Sequence, residues 1–234
     1  ESTVKDLTAS NTDELNAISN YIGNINTPYT YLGEKVPTSH TFSVNSFLKM
    51  SYSEQTSQDI EIFGGYMFVA FSGVEQLKVY SYTSKDLLAE IDISVNHGSG
   101  MQFSAEYYND GDEFPLLYVG GWEDNIIYVI RITKTNDTWS ASIVRTLYIP
   151  TSYGFYFAPS IDIYTNTMWC YGYKIWSLSP TDNAMVLLKC DLNQLIDNGN
   201  NTYSPTILDV IEKPYEGIMQ GRKYFNNRLY IGFA

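Results

Sequence analysis

Three glutamines recur at matched places: Gln58, Gln102 and Gln220 each stand five residues before an aromatic, at Phe63, Tyr107 and Phe225. A side-chain amide both donates and accepts, so amides converging on one axis would suit a polyol or ordered water. The competing reading is that they satisfy backbone groups between repeats. His97-Gly98-Ser99-Gly100-Met101-Gln102 leads into the second of them, and Gly217-Ile218-Met219-Gln220 leads into the third. His97 could bind ligand or cap its loop. Trp122, within Gly120-Gly121-Trp122-Glu123-Asp124, and the run Tyr153-Gly154-Phe155-Tyr156-Phe157 offer ring faces for sugars, with hydroxyls bonded by nearby acids and amides. Packing between sheets is the alternative for both. The expected ligand-binding set is therefore Gln58, His97, Met101, Gln102, Trp122, Tyr153 and Gln220.

Other chemistries are less well supplied. The chain has two histidines, His40 and His97, with no ligand spacing between them, so no metal site is expected there. Asn109-Asp110-Gly111-Asp112-Glu113 clusters hard oxygen ligands that could hold calcium but lacks the full calcium-loop spacing; a solvated hairpin is the plainer reading. Thr135-Asn136-Asp137-Thr138-Trp139 is similar to the Asp-box turn of sialidase-type propellers, without its Gly, and reads otherwise as an ordinary turn. No phosphate loop, nucleophile elbow or zinc motif is present. The acids Glu61, Glu75, Asp92, Glu106 and Asp162 are scattered, so no catalytic residue is assigned.

The elements that must carry these residues repeat. Met67-Phe68-Val69-Ala70, Leu117-Tyr118-Val119-Gly120, Met168-Trp169-Cys170-Tyr171 and Leu229-Tyr230-Ile231-Gly232 share an apolar-aromatic pattern with a period of about fifty residues. Before each lies a short strand and a turn: Gly64-Gly65 in the first copy, Asn226-Asn227 in the fourth, both fit for a two-residue hairpin. In the third copy Pro159 stands where the spacing places Gln. Alternating strands follow at Leu77–Tyr82, Leu87–Ile93, Ile126–Thr133 and Ser142–Ile149. Four antiparallel strands per repeat predict an all-β chain, a β-propeller of four-stranded blades near 55–95, 98–150, 154–213 and 217–234 within a domain at 38–234. A four-stranded blade cannot cover both its faces, so blades stack about an axis. The rival is a β-sandwich, which would lack the long self-similarity. The fourth repeat stops after its second strand. The ring is thus expected to be truncated or, alternatively, closed by a strand at 41–50.

Residues 1–30 differ. Leu15, Ile18, Ile22 and Ile25 follow helical spacing, and Pro28 ends it. A single packed helix or the end of an oligomeric stem, a homotrimer included, would fit. The chain opens on Glu1 rather than Met, so its start is expected to have been lost to cleavage or trimming. A net charge of −12 argues against nucleic acid and anionic lipid, and no apolar run is long enough for membrane insertion. With 44% hydrophobic but only 17% charged residues, and 21 Tyr, the surface must be built from Tyr, Ser, Thr and Asn. Cys170 and Cys190 read as buried free thiols, with a single bridge as the alternative.

The order from His97 to Val119, a His-Gly-x-x-Met entry followed by strand, turn and apolar strand, resembles receptor-binding propellers of phage tails that infect Gram-positive bacteria. In those a helical stem precedes a propeller that binds wall-linked glycopolymer. Similar blades occur in secreted bacterial YncE/NHL-like propellers. His97, Gly98 and Met101 carry the pattern; before Met219, Gly217-Ile218 stands in place of the His. The resemblance implies a non-enzymatic adhesive protein outside the cell, on a virion tail or secreted to a surface, whose partner is a surface glycan or glycopolymer. The alternatives are a glycan hydrolase or lyase, and a protein-binding scaffold.

Overall fold

The computed structural model describes residues 56–72, 75–95, 97–121, 125–175, 184–214, 219–225 and 228–233. Two compact units divide the chain, Glu1–Lys49 and Met50–Ala234, and every described residue belongs to the second. The expected stem at 1–30 and the strand at 41–50 lie outside the described residues, as does Trp122.

The chain is all-β. The first four strands, β1 (Thr56–Phe63), β2 (Tyr66–Ser72), β3 (Gln76–Ser81) and β4 (Leu87–Asp92), pair in sequence order as one antiparallel sheet. β5 (Met101–Phe103), β6 (Leu117–Gly120), β7 (Ile126–Thr135) and β8 (Thr138–Tyr148) repeat that order, as do β9 (Phe155–Asp162), β10 (Thr167–Ile175), β11 (Ala184–Asp197) and β12 (Thr202–Pro214). These two meanders join into one eight-stranded sheet through a short parallel contact between β8 and β12 at Thr146–Thr202 and Leu147–Tyr203. β13 (Met219–Phe225) and β14 (Arg228–Phe233) form an antiparallel pair.

Local chemistry explains the turns. Gly64 and Gly65 have φ of +58° and +84°, the left-handed pair that a two-residue hairpin needs. Asn136, at φ +55°, opens the two-residue turn between β7 and β8, so β8 begins at Thr138 rather than Ser142. The Asn136-Asp137 turn is an ordinary hairpin.

The core is distributed between meanders rather than within one. On β6, Leu117 and Val119 pack with Phe68, Leu77 and Val79 of the first meander. Their neighbours Leu116 and Tyr118 pack with Phe157, Met168 and Leu188 of the third. Strand alternation thus sends successive side chains to different partner sheets. In the first three repeats the aromatic faces forward: Phe68 toward Phe103, Tyr118 into the cluster of the third meander, Trp169 stacked on Tyr224. The first strands also follow one another in space, β1 beside β5, β5 beside β9, and β9 beside β13.

Cys170 and Cys190 form no disulfide and are fully buried in the same cluster. Each faces another residue across the ladder, Cys170 opposite Leu188 and Cys190 opposite Met168, which makes them diagonal neighbours. Neither thiol is expected to react with a bulky disulfide reagent in the native protein, and both should react on unfolding. A stoichiometric native reaction would show that the third meander opens readily.

Candidate functional site

Strand register corrects the glutamine alignment. Opposite the four repeated aromatics stand Glu61, Gln102, Ser160 and Lys223. Gln102 is therefore level with Glu61, not with Gln58. Gln58 and Gln220 do correspond, since each sits at an irregularity in the ladder beside Asp59 and Gly221. Pro159 likewise does not occupy the glutamine position, being one residue before Ser160. A count of five back from an aromatic assumes equal turns, and the β5–β6 and β9–β10 connections are longer than the first.

Gln102 performs the backbone-satisfying role. It is buried, its Nε2 donates to the Ile161 carbonyl at 2.8 Å, and its Oε1 accepts from Ile161 N at 3.0 Å and Ser160 Oγ at 2.9 Å. Related contacts join the other meanders: Met101 N donates to Asp59 Oδ2 at 2.7 Å, and Tyr224 N to Ser160 Oγ at 2.6 Å. First strand is thus tied to first strand by a polar chain through all four repeats. Met101 is buried in the first core cluster. Both residues face the protein interior rather than solvent.

The rest of the expected set gathers, as far as it is described, where first strands begin. Gln58 is half-buried near the start of β1. His97 is half-buried in the turn before β5, at φ +68°. Tyr153 is half-buried in a 3-10 turn, Thr151–Tyr153, just before β9, and packs on the second core cluster. Gln220 lies at the start of β13. Phe157, from the aromatic run, is fully buried. Asn125 escaped the sequence reading, yet it organises this end. It is buried at φ +52°, and its Nδ2 donates to the Gly154 carbonyl at 2.7 Å while its own carbonyl accepts from Ile149 N.

The opposite end, where first strands finish, is built differently. Residues 104–116 form a long connection closed by Ser104 N and Leu116 N donating to the carbonyls of Leu116 and Glu106. Arg131 clamps it, with Nε and Nη2 on the two Asp112 carboxylate oxygens at 2.9 and 2.7 Å. The same guanidinium lies over the Tyr108 ring at 5.1 Å. Both Asp112 oxygens are thus engaged by arginine, in the segment considered for calcium. Among the described residues no cluster of metal-ligating side chains occurs.

The Arg131 guanidinium bonded to Asp112 holds that carboxyl below the usual aspartate range. A depressed folded-state pKa makes the contribution present above the ordinary carboxylate range and lost as pH falls through the depressed value. The connection should therefore stay protected against limited proteolysis through mildly acid pH and open only in stronger acid. Asp112→Asn should cleave readily at every pH; equal protection in the variant would remove the clamp from the account.

No protein-family model matches this chain, and no curated protein is similar to it. What the site can do therefore rests on its own geometry. Four of the described acids are tied to structural donors: Glu106 to Arg145, Glu90 to Lys78, Asp92 to Gln76, and Asp162 to Tyr164 N and Thr165 Oγ1. Tyr118, beneath Glu106 and Arg145, has its hydroxyl pushed above the usual tyrosine range by burial first and the Glu106 charge second, so it remains a protonated donor.

Proposed function

We propose that the four repeats are blades of a β-propeller, and that the protein is a non-catalytic binding module for a cell-surface glycan or wall glycopolymer, working outside the cell. Stacking of successive meanders supports the propeller: each first strand lies beside the next, each interface has its own apolar cluster, and the repeated aromatic faces forward in the first three repeats. The binding reading is carried by one observation. Arginine-clamped backbone presents the Tyr107 and Tyr108 rings to solvent, with Asp112 of that segment committed to Arg131. Rings held without rotamer loss give contact area at low entropic cost, and sugars use such faces.

The experiment is retention of the folded full-length chain on purified wall glycopolymers and on a glycan panel. Binding to saccharide with no turnover of the bound chains is expected. Failure to retain any saccharide would remove the function. Solution scattering that shows two separated sheets instead of a compact disc would remove the propeller.

A further inference from the structure

Among the described residues, exposure of tyrosine is confined to one end of the blades. Among the described residues the exposed tyrosines are Tyr82 at 40%, Tyr107 at 46%, Tyr108 at 50% and Tyr164 at 88%. Tyr82 follows β3, and its N–H donates to the Gly65 carbonyl in the β1–β2 turn at 2.9 Å. Tyr107 and Tyr108 lie in the β5–β6 connection and Tyr164 in the β9–β10 turn. All four therefore sit where first strands end. The first strands run the same way: Asp59 meets Met101 near their starts and Phe63 meets Phe103 at their finish, while Phe157 lies by Gly120 and Ile161 by Gln102. Gln58, His97, Tyr153 and Gln220 sit at the other end, where the exposed aromatic among the described residues is Phe155.

Two of the rings are buttressed. Lys85 Nζ stands 4.3 Å from the Tyr82 ring centre and the Arg131 guanidinium 5.1 Å from that of Tyr108. A cation over one face fixes a ring without covering the remainder. The acids Asp86, Asp110 and Glu113 are exposed in the same turns and Asp137 in the β7–β8 hairpin at the same end, and the whole chain carries −12. Such a field disfavours a polyanion and leaves stacking and hydroxyl bonding as the attraction.

Resting on the glycan-binding reading above, we propose that the ligand surface is this tyrosine-bearing end of the blades and that its ligand is a neutral saccharide chain. Tyr107, Tyr108 and Tyr164 stack on pyranose faces, and the exposed acids accept from hydroxyls.

The test uses the full chain, with glucan, mannan and galactan as neutral probes and heparin as the anionic one. Tyr107→Ala and Tyr164→Ala alter exposed rings and should fold normally. Each is expected to weaken retention on a neutral polysaccharide about tenfold, and the double variant to abolish it. Retention unchanged in these variants but lost in Tyr153→Ala would overturn the placement while the glycan reading survives. Heparin held in preference to the neutral chains would overturn the ligand class. No retention on any polysaccharide would remove both this proposal and the reading beneath it.

Discussion

Gln102→Ala should destabilise the protein by about 3 kcal/mol, a large fraction of the stability of an ordinary domain. The amide makes three hydrogen bonds to Ser160 and Ile161, and truncation leaves the Ile161 N–H and carbonyl buried without that partner. Each such loss costs about 1 kcal/mol net, more where the abandoned group stays dry. Thermal unfolding should then fall by roughly 6–12 °C. Gln76→Ala is the matched control, because its amide bonds Asp92 on the surface; a change within about 0.5 kcal/mol is expected. Equal effects from the two glutamines would deny Gln102 its role between meanders. The readout is calorimetry or denaturant titration of the full chain.

The same residue shows what was legible in the sequence. Its type and rough placement were visible, because a repeat of about fifty residues marks equivalent strands. Its register was not. Ladder position depends on turn length and on irregular pairs such as Ser57/Asp59 and Met219/Gly221, and these are set by cross-strand hydrogen bonds. The hairpins fared better, because Gly64-Gly65 and Asn136-Asp137 carry their own conformational preference. The exposed tyrosines had a signal that went unused. Tyr82 precedes Thr83-Ser84, Tyr108 precedes Asn109-Asp110-Gly111, and Tyr164 precedes Thr165-Asn166, so each abuts a turn former. With 21 tyrosines in the chain, composition alone could not separate the wet from the dry. The Arg131–Asp112 clamp joins positions nineteen residues apart and has no local pattern. Asn125 was hidden for a related reason: its partner Gly154 lies in the next repeat.

Gly120→Ala should do more damage than any truncation considered above. This glycine closes the pattern Leu117-Tyr118-Val119-Gly120, where the first repeat has Ala70 and the fourth Gly232. A methyl there would stand 2.6 Å from the Phe157 carbonyl oxygen, 2.7 Å from that of Ser99 and 3.0 Å from Pro159 Cδ. Two of those atoms are backbone and cannot swing aside as a side chain could. Ser99 is also fixed by its N–H bond to the Gly120 carbonyl at 2.8 Å, and Phe157 is fully buried between the second and third meanders. The methyl can be accommodated only by moving both β9 and the segment before β5 away from β6, which also stretches the Gln102–Ile161 contacts. Overpacking typically costs about 1–3 kcal/mol, and two contacts to backbone under 3.0 Å put this site at the top of that range or beyond it. Loss of soluble protein, or an unfolding midpoint lowered by 10 °C or more on the scaling for this size, is the expected outcome. The partner substitution Gly65→Ala separates crowding from backbone strain. Gly65 has no atom within 4 Å of the added methyl but a φ of +84°, so only the left-handed conformation is penalised, by about 1 kcal/mol. If Gly120→Ala proved as mild as Gly65→Ala, the close approach of the two meanders at this point would be refuted.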